Sequence, residues 1–357
     1  MAKGPESLVR EEIRALTAYH VAPARGMVKL DAMENPYRLP PELARRMGER
    51  LGEVAVNRYP DPSGARLKTR LAETMRVDPS LEILLGNGSD EILQIVSLAL
   101  AKPGACVLSL EPSFVMYRLA AVAAGMRYVG LALREDFTLD TDALLAAIER
   151  ERPALTWIAY PNNPTGNLFP REAILAAVRA SPGLVAVDEA YYAFSGGASF
   201  LDEVGKHPNL LLVRTVSKLG LAGLRVGAAI GPREWIHELE KLRMPYNVNS
   251  LSAAAAELLL ENPEVFERQT AAIRAERGRL EAALDRLPRA RRFASAANFI
   301  LVRVPDAPRA FEALRQSGIL VRTLHGSHPL LAHCLRLTVG TPDENTRMLD
   351  ALAPALG

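Results

Sequence analysis

Residues 155–188 decide the fold: LTWIAYPNNPTGNLFPREAILAAVRASPGLVAVD. The run Leu155–Tyr160 is apolar and stops at Pro161, so it predicts a buried strand. The spacing of apolar residues over Arg171–Arg179 predicts a helix, and Leu184–Val187 predicts a second buried strand. Two buried strands joined through a helix form a crossover connection, which places the strands parallel in one sheet.

The same alternation of strands and helices extends outward from this unit in both directions. Further strands are predicted at Glu82–Leu85, Ala105–Leu110, Arg127–Leu133, Leu210–Arg214 and Arg225–Ile230. Further helices are predicted at Glu91–Ala101, Phe114–Ala124 and Asp142–Arg150. The pattern is typical of an α/β fold with a mostly parallel central sheet and helices on both faces. Such a sheet binds its ligands beyond the carboxyl ends of its strands.

The composition and the hydrophobic pattern of the sequence change after Pro245. Long helical stretches rich in Ala, Glu and Arg are followed there by short strand-like runs. We therefore expect a smaller α+β domain over residues 246–357 and a large ligand-binding domain over residues 38–245. Residues 1–37 are expected to form an N-terminal arm and part of the small domain. The length of 357 residues fits this division, because it exceeds the size of a usual single core.

The composition argues against several classes of protein. The 43 basic and 41 acidic side chains leave a net charge of +2, too weak a field to predict a nucleic acid partner. The longest apolar run, near Leu93–Leu100, is too short to cross a bilayer, and Met1–Glu12 lacks an export signal. The two cysteines, Cys106 and Cys334, form neither a disulfide framework nor a metal-ligand spacing. We expect a cytoplasmic protein with no metal and no membrane partner.

Five polar clusters fall at the ends of predicted strands. The first, Gly86-Asn87-Gly88-Ser89-Asp90-Glu91, joins two glycines to a helix start for which Ser89 and Asp90 are candidate caps. Glycines permit close backbone approach, and free N–H groups at a helix start attract a phosphate, although a plain turn explains the pattern equally well. The cluster lacks G-x-G-x-x-G, which argues against a nicotinamide dinucleotide site.

The second and third clusters follow the two strands of the opening unit. In Tyr160-Pro161-Asn162-Asn163-Pro164-Thr165-Gly166, the asparagine amides either donate to a ligand oxygen or serve the turn alone. Val187-Asp188-Glu189-Ala190-Tyr191 places a carboxylate at the end of an apolar strand, where burial is costly without a positive partner. Asp188 therefore either pairs with a cation or caps a helix.

The last two clusters contribute positive charge. Arg214-Thr215-Val216-Ser217-Lys218 precedes a glycine-rich loop that ends at Arg225. Burial disfavours an ammonium, so Lys218 is suited to forming a Schiff base unless it is an ordinary surface charge. Ser217 and Arg225 offer donors to a phosphate. Arg336 lies within an apolar strand and predicts an anion contact or a solvent-facing position, with Arg322 fourteen residues earlier.

Together the five clusters describe one cofactor. They supply a helix start for a phosphate, a carboxylate for a pyridinium nitrogen, an amide and a phenol for a ring oxygen, and a lysine for an aldehyde. These are the protein groups that pyridoxal 5′-phosphate requires. The sequence therefore predicts a pyridoxal-phosphate enzyme.

The motifs resemble those of fold-type I, class-II pyridoxal-phosphate aminotransferases, and within them those of histidinol-phosphate aminotransferases. The resemblance runs from about Leu30 to Asn345. Its pieces are Leu30–Tyr37, Arg58–Pro62, Gly86–Glu91, Pro161–Gly166, Val187–Tyr191, Ser217–Lys218, Gly223–Arg225 and Leu335–Thr341. The lysine, aspartate and Asn-Pro-Thr-Gly set is specific for the superfamily, whereas Glu34–Tyr37 and Arg58–Asp61 indicate the histidinol-phosphate group.

The resemblance implies a role for each cofactor residue. Lys218 forms the Schiff base and later moves the α-proton, Asp188 pairs with the ring nitrogen, and Tyr191 holds the ring hydroxyl together with Asn163. The phosphate is expected to contact Gly88, Ser89, Asp90, Thr215, Ser217 and Arg225. Phe114 is expected to stack on the ring, at a position where tyrosine is commoner. Tyr59 is expected to reach the phosphate from the partner subunit of a homodimer with shared active sites.

The resemblance also implies a substrate site and a reaction. Arg336 is expected to bind the carboxylate of glutamate and, with Arg322, the substrate phosphate, while Tyr19 and Asn35 are expected beside the substrate. The reaction moves an amino group between L-histidinol phosphate and 2-oxoglutarate in histidine biosynthesis, giving imidazole acetol phosphate and L-glutamate. A related enzyme for aromatic amino acids and a phosphothreonine decarboxylase remain alternatives, as does a non-catalytic binding module.

Two segments depart from the family pattern. Lys218 and Arg225 are seven residues apart, where the family usually has eight, so the loop must tighten if Arg225 is to reach the phosphate. The segment Thr323–Cys334 is unlike the family and carries His325, His328 and His333. A loop over the pocket explains these histidines better than a metal site does.

Overall fold

The computed structural model describes residues 4–18 and 22–357. Its strands are β1 (Val28–Leu30), β2 (Glu82–Asn87), β3 (Cys106–Glu111), β4 (Arg127–Ala132), β5 (Leu155–Ala159), β6 (Leu184–Asp188), β7 (Leu210–Thr215), β8 (Val226–Gly231), β9 (Arg291–Arg292), β10 (Phe299–Arg303), β11 (Ile319–Thr323) and β12 (Cys334–Thr338).

The helices alternate with these strands along most of the chain. They are α1 (Pro5–Leu8), α2 (Glu11–Arg14), α3 (Pro41–Gly52), α4 (Ala65–Met75), α5 (Ser89–Leu100), α6 (Met116–Ala123), α7 (Thr141–Glu151), α8 (Arg171–Ala180), α9 (Arg233–Glu240), α10 (Ser250–Leu260), α11 (Pro263–Leu284), α12 (Ala307–Gln316) and α13 (Pro342–Ala355).

Seven strands form the large sheet, in the order β2-β8-β7-β6-β5-β3-β4. The strands from β4 through β3, β5 and β6 to β7 run parallel, whereas β8 is antiparallel to both of its neighbours. The prediction of a mostly parallel α/β sheet is confirmed. The register pairs Asp188 of β6 with Val213 of β7, so the polar residues that follow these strands lie side by side.

Apolar side chains cover both faces of the large sheet, as parallel strands require. In β6, Val185 and Val187 belong to one core cluster, whereas Leu184 and Ala186 belong to another on the opposite face. All five residues of β6 are buried. The alternation continues into the polar residues beyond the strand, so neighbouring side chains there point to opposite faces.

A second sheet has five strands, in the order β1-β11-β12-β10-β9. Strand β1 pairs in parallel with β11, and β11 is antiparallel to β12 with Arg322 opposite Arg336. The N-terminal segment Val28–Leu30 therefore joins a sheet built from the last third of the chain. The domain boundaries after residues 37 and 245 stay predictions.

Helix α5 begins one residue after a glycine. Gly88 is the N-cap, with φ +78°, and no side chain caps the helix. The expectation that Ser89 and Asp90 cap this helix was wrong, because the helix already begins at Ser89. The first N–H groups of α5 therefore lack a side-chain cap and are available to an anion.

In the part of the chain that the structure describes, no helix is both long and apolar enough to span a bilayer. Within residues 4–18 and 22–357, no group of three or more His, Cys, Asp or Glu side chains is arranged to hold a metal ion. Cys106 and Cys334 are buried free thiols.

Candidate active site

A cavity opens at the carboxyl ends of β5, β6 and β7 and the start of α5, which is where a parallel sheet places its ligand. Ten residues that the sequence predicts for the cofactor line it: Ser89, Asp90, Phe114, Asn163, Asp188, Tyr191, Thr215, Ser217, Lys218 and Arg225. Five further residues that were not predicted complete the lining: Met33, Tyr117, Ala159, Pro161 and Ala190.

Asp188 is the acidic centre of this cavity and is only 5% exposed. The Tyr117 hydroxyl donates to its Oδ2 at 2.8 Å, and the Ala190 amide donates to its Oδ1 at 3.0 Å. Burial raises the pKa of Asp188 to about 6, although both hydrogen bonds oppose that rise. The contacts described around this carboxylate come from neutral donors alone. A cationic N–H from a ligand would therefore find an anion that lacks its counter-charge.

Tyr117 is a site residue that sequence reasoning missed. Its ring stacks on Trp157, with the centroids 5.3 Å apart and the planes 3° apart, and its edge meets Phe114. This packing holds the ring whose hydroxyl donates to Asp188. The available signal was the spacing of three residues between Phe114 and Tyr117, which places both side chains on one side of a helical turn.

Lys218 supplies the amine of the cavity. Its Nζ donates to the backbone oxygen of Ala32 at 3.2 Å and lies 5.9 Å from the centre of the Tyr191 ring. Burial lowers the pKa of Lys218 to about 8, and the nearby charge of Arg336 adds to this effect. More of this amine is therefore neutral near physiological pH than of an ordinary lysine, which favours Schiff-base formation.

A chain of hydrogen bonds joins the two sheets across the cavity. Arg336 donates through Nη1 to Asn163 Oδ1 at 2.7 Å and through Nη2 to the backbone oxygen of Asp31 at 2.8 Å. Asn163 in turn donates through Nδ2 to the Tyr191 hydroxyl at 3.2 Å. The neighbouring Asn162 instead serves the turn, because its amide donates to the Thr165 hydroxyl at 2.7 Å, and it also donates to the Pro112 backbone oxygen at 3.0 Å. Of the two asparagines in the motif, only Asn163 lines the cavity.

The start of α5 and the Arg225 guanidinium form a cradle for an anion. A Cβ placed on Gly88 would lie 2.4 Å from Arg225 Nη2, and a Cβ on Gly227 would lie 2.5 Å from the Ser89 amide nitrogen. Glycine is therefore favoured at Gly88 by its φ of +78° and at Gly227 by the close contact with backbone atoms. Arg225 also contacts Asp90 at 3.1 Å. The hydroxyls of Thr215 and Ser217 are 2.9 Å apart at the same cavity.

The loop between Lys218 and Arg225 is tight. It consists of two short 3-10 turns, Ser217–Leu219 and Ala222–Leu224, and Arg225 follows with φ +52°. Asn35 secures this loop, because its amide donates to the Leu219 oxygen at 2.7 Å and to Gln269 at 2.9 Å. The spacing of seven residues therefore still brings Arg225 to the cradle. The substrate contact expected of Asn35 stays a prediction.

The residues of the cavity fit pyridoxal 5′-phosphate. The cradle at the start of α5 fits a dianionic phosphate, the buried Asp188 carboxylate fits a pyridinium N–H, and the Lys218 amine fits an aldehyde. Tyr191 presents a phenol and Asn163 presents an amide, and the two groups are hydrogen-bonded to each other. Each cofactor contact of an individual residue stays a prediction.

A second cavity of about 350 Å³ adjoins the first and shares Met33, Phe114 and Asn163 with it. Both Arg322 and Arg336 line this second cavity, as adjacent residues of β11 and β12. Arg118 and Glu111 also line this cavity, so three guanidinium groups outnumber one carboxylate there, and this excess of positive charge suits an anionic substrate.

The histidine-rich segment lies along the second cavity. His328 lines the cavity, and its Nδ1 accepts from the Leu330 amide at 3.1 Å. His325 and His333 lie side by side with ring centres 4.7 Å apart, and His325 Nδ1 accepts from the His333 amide at 3.1 Å. These bonds shape a loop at the rim of the pocket.

One predicted cofactor residue, Tyr59, lies away from this cavity. Tyr59 is 81% exposed and stacks on Tyr246, with the ring centres 4.5 Å apart, at a separate surface groove. It therefore does not contact the cofactor cavity of its own subunit. Tyr19 lies outside the described residues.

This fold and cavity are those of a pyridoxal-phosphate transferase, and similarity to known proteins agrees with that class. Residues 25–352 match the family model for aminotransferase class I and II. The chain is 55% identical to histidinol-phosphate aminotransferase from Chromobacterium violaceum over 347 residues, which is 97% of each chain. It is 50% identical to histidinol-phosphate aminotransferase 2 from Cupriavidus pinatubonensis, covering 98% of this chain and 97% of that one.

A solved structure gives the same answer. The fold is similar to that of histidinol-phosphate aminotransferase from Sinorhizobium meliloti in complex with pyridoxal-5′-phosphate, with a TM-score of 0.87 and 25% identity. That comparison covers 97% of this chain and 96% of the other. The chain belongs to the aminotransferase class I and II family and, within it, to the histidinol-phosphate aminotransferases.

Proposed function

We propose that this enzyme is a pyridoxal-phosphate-dependent transaminase of histidine biosynthesis. It moves an amino group between L-histidinol phosphate and 2-oxoglutarate, giving imidazole acetol phosphate and L-glutamate. The observation that carries this proposal is the meeting of Lys218 and Asp188 in one cavity beside a second cavity whose lining includes Arg322 and Arg336. The similarity to histidinol-phosphate aminotransferases over nearly the whole chain supports the choice of substrate.

Lys218 and Asp188 divide the catalytic work. When bound, pyridoxal phosphate supplies an aldehyde for the amino group and a ring that takes up electrons from the broken α-C–H bond. The Lys218 Nζ, with its pKa lowered to about 8, would hold the aldehyde and, once the substrate amine has displaced it, would accept and return the α-proton. The Asp188 carboxylate holds a proton at the ring nitrogen by pairing with its positive charge.

Arg322 and Arg336 explain how one pocket takes two different substrates. Glutamate carries a carboxylate where histidinol phosphate carries a phosphate ester. A pair of guanidinium groups binds either anion through paired N–H donors, which a single apolar slot cannot do. Arg336 is already held by Asn163 and by the Asp31 backbone, so its guanidinium is oriented before substrate arrives.

A turnover assay with competing amino donors tests the proposed function. Purified enzyme loaded with pyridoxal phosphate is given 2-oxoglutarate and histidinol phosphate, phenylalanine or phosphothreonine, and glutamate formation is measured. We expect the largest kcat/KM with histidinol phosphate. A larger kcat/KM with phenylalanine, or release of carbon dioxide from phosphothreonine, would contradict the proposal.

We also propose that the enzyme is a homodimer with shared active sites. Tyr59 and Met244 are 81% and 68% exposed, and Val56 nearby in sequence is 75% exposed. Exposed apolar and aromatic side chains of this size are typical of an interaction surface. Tyr59 stacks on Tyr246 at this surface, and it is the residue that we propose reaches the partner's phosphate cradle.

Mixing two inactive variants tests the shared site. Lys218→Ala removes the amine of one site, and Tyr59→Ala removes the predicted contribution to the partner's site. A hybrid dimer then contains one site with both groups intact. We expect refolded mixtures to regain activity that neither variant has alone, and mixtures that stay as inactive as their components would contradict shared sites.

We propose a cytoplasmic location as well. Both cysteines are buried thiols rather than a disulfide, which a reducing compartment favours. Cell fractionation with an antibody to the chain tests this, and recovery of the protein in a periplasmic fraction would contradict it.

A further inference from the structure

A buried ion pair lies directly behind the cofactor cavity. Arg214 donates through Nε and Nη2 to Glu189 Oε2, at 3.0 and 2.8 Å. Arg214 is 4% exposed and Glu189 is fully buried. Neither residue lines the cavity, so neither side chain is in a position to contact the cofactor or the substrate there. Two charges in such a position are costly unless every polar group finds a partner.

The remaining polar groups of the pair are satisfied, and their partners come from three segments. Arg214 Nη1 donates to the Met75 oxygen at the end of α4, at 3.2 Å, and Nη2 donates to the Ser199 hydroxyl at 2.8 Å. Glu189 accepts from the Phe200 amide at 2.6 Å and from the Ser199 hydroxyl at 2.9 Å. The guanidinium also lies 4.3 Å from the centre of the Tyr192 ring. The pair therefore ties a helix end and a loop to the sheet.

The position of the pair in the chain links it to the site. Glu189 directly follows Asp188, and Arg214 directly precedes Thr215. The amide of Glu189 donates to the Val213 oxygen at 2.8 Å, so β6 and β7 are still paired at this level. Because side chains alternate along a strand, Glu189 and Arg214 point away from the face that carries Asp188 and Thr215.

We propose that Glu189 and Arg214 are positioning residues, which hold the carboxyl ends of β6 and β7 together from behind. The pair thereby fixes the distance between Asp188, which takes the cofactor nitrogen, and the Thr215–Lys218 segment, which takes its phosphate and aldehyde. This inference rests on the proposed function, because it concerns the same cofactor site. The Glu189–Arg214 pair thus supports the cofactor site from outside the cavity.

The charge of Arg214 has a second consequence for Asp188. The Glu189 carboxylate is one residue away, and it raises the pKa of Asp188 after the larger effects of burial and of the Asp90 charge. Arg214 offsets that negative charge at hydrogen-bond distance. The pair therefore supports the strand ends without placing an uncompensated anion beside Asp188.

The experiment measures how tightly apoenzyme variants bind pyridoxal phosphate. Dissociation constants are obtained from the quenching of tryptophan fluorescence, since Trp157 lies against the Tyr117 ring of the cavity. Melting temperatures of the same apoenzymes report stability separately. The variants are R214K, R214M and the double variant E189M/R214M, which removes both buried charges at once and so avoids leaving one unpaired.

We expect R214M and the double variant to raise the dissociation constant by roughly ten- to a hundredfold, since small displacements of positioned groups have effects of that size. R214K keeps the charge but not the fork of donors, so we expect a smaller increase. A purely structural role predicts a lower melting temperature with unchanged cofactor binding. If R214M does not fold, R214K and the double variant decide.

Arg171 provides the matched control. It contacts the same loop, because its guanidinium donates to the Ser199 backbone oxygen and to the Asp202 carboxylate. It makes no hydrogen bond to the ends of β6 and β7 among the described contacts. We expect R171M to change the dissociation constant less than twofold. Folded R214K and double variants that bind the cofactor as tightly as the unaltered enzyme would overturn the inference alone. Failure of the unaltered apoenzyme to bind the cofactor would overturn the proposed function with it.

Discussion

The two faces of the large sheet treat buried charge in opposite ways where β6 and β7 end. On the cavity face, Asp188 receives hydrogen bonds from a phenol and an amide, and Lys218 donates to a backbone oxygen. On the opposite face, Glu189 and Arg214 bind each other directly. On the cavity face, Asp188 and Lys218 hydrogen-bond to neutral partners, whereas on the opposite face the two charged side chains pair with each other.

This difference separates chemistry from support. A buried charge with neutral partners has a shifted pKa and awaits an opposite charge, which is typical of an active site. A buried pair whose donors and acceptors are all used has no further ligand to bind and instead fixes the backbone. The cofactor completes the first face, whereas the second face is complete without it.

The largest effect is expected from Lys218→Ala, which breaks the cavity face at its amine. We expect kcat for transamination to fall by roughly 10⁴-fold, because no other described group at the cavity supplies a basic amine. Steady-state kinetics with histidinol phosphate measures this. A cofactor-loaded variant with near-normal turnover would show that another residue carries the proton.

Asp188→Asn tests the acidic partner on the same face. The amide keeps the shape of the side chain but loses the negative charge, so it no longer favours a proton on the ring nitrogen. We expect kcat to fall by roughly 10²- to 10³-fold, the size of the loss of one electrostatic contact in an active site. The matched change on the opposite face, Glu189→Gln, is expected to affect cofactor binding more than kcat. Equal losses of kcat in both variants would erase the distinction between the faces.

The pH dependence of cofactor capture sharpens the comparison further. The pKa of Lys218 is lowered to about 8, first by burial and then by Arg336. The neutral amine reacts, so the capture rate should fall roughly tenfold for each pH unit below that value and level off above it. Stopped-flow absorbance of the apoenzyme with pyridoxal phosphate measures this. In R336M, the pH at which the capture rate levels off should be higher. An unchanged pH would contradict the role of the Arg336 charge.

Tyr117→Phe is expected to have the smallest effect. The Tyr117 hydroxyl lowers the pKa of Asp188 against the rise caused by burial, so its removal should raise that pKa above about 6. Asp188 is then protonated already at a higher pH, and we expect the acidic limb of cofactor affinity, measured on the apoenzyme, to move to higher pH, with the affinity near neutral pH reduced roughly tenfold or less. Tyr160→Phe on the opposite face is the control. An acidic limb that moves equally in both variants would contradict a specific bond to Asp188.

The sequence predicts the strands and most of the cavity, because both depend on local pattern. Apolar runs interrupted by helical spacing indicate a parallel sheet, and polar residues at the ends of those runs must then meet at one edge. Asp188, Lys218 and Asn163 follow from this rule, and the structure brings all three to one cavity.

Long-range contacts could not be predicted in this way. The parallel pairing of Val28–Leu30 with Ile319–Val321 joins segments about 290 residues apart, and no local pattern encodes it. The bond from Asn35 to the Leu219 oxygen is of the same kind. Alternation does place Asp188 and Glu189 on opposite faces, but it does not say which face carries the cofactor. That choice depends on Tyr117 and the start of α5, which only the folded chain brings together.

Identification of the lysine that binds the cofactor tests the central claim most directly. Enzyme loaded with pyridoxal phosphate is reduced with borohydride, digested and analysed by peptide mass spectrometry. We predict that the reduced cofactor is attached to Lys218 and that Asp188→Asn weakens this labelling. Attachment to any other lysine, or no attachment under conditions that support turnover, would contradict the assignment of the cavity face as the active site.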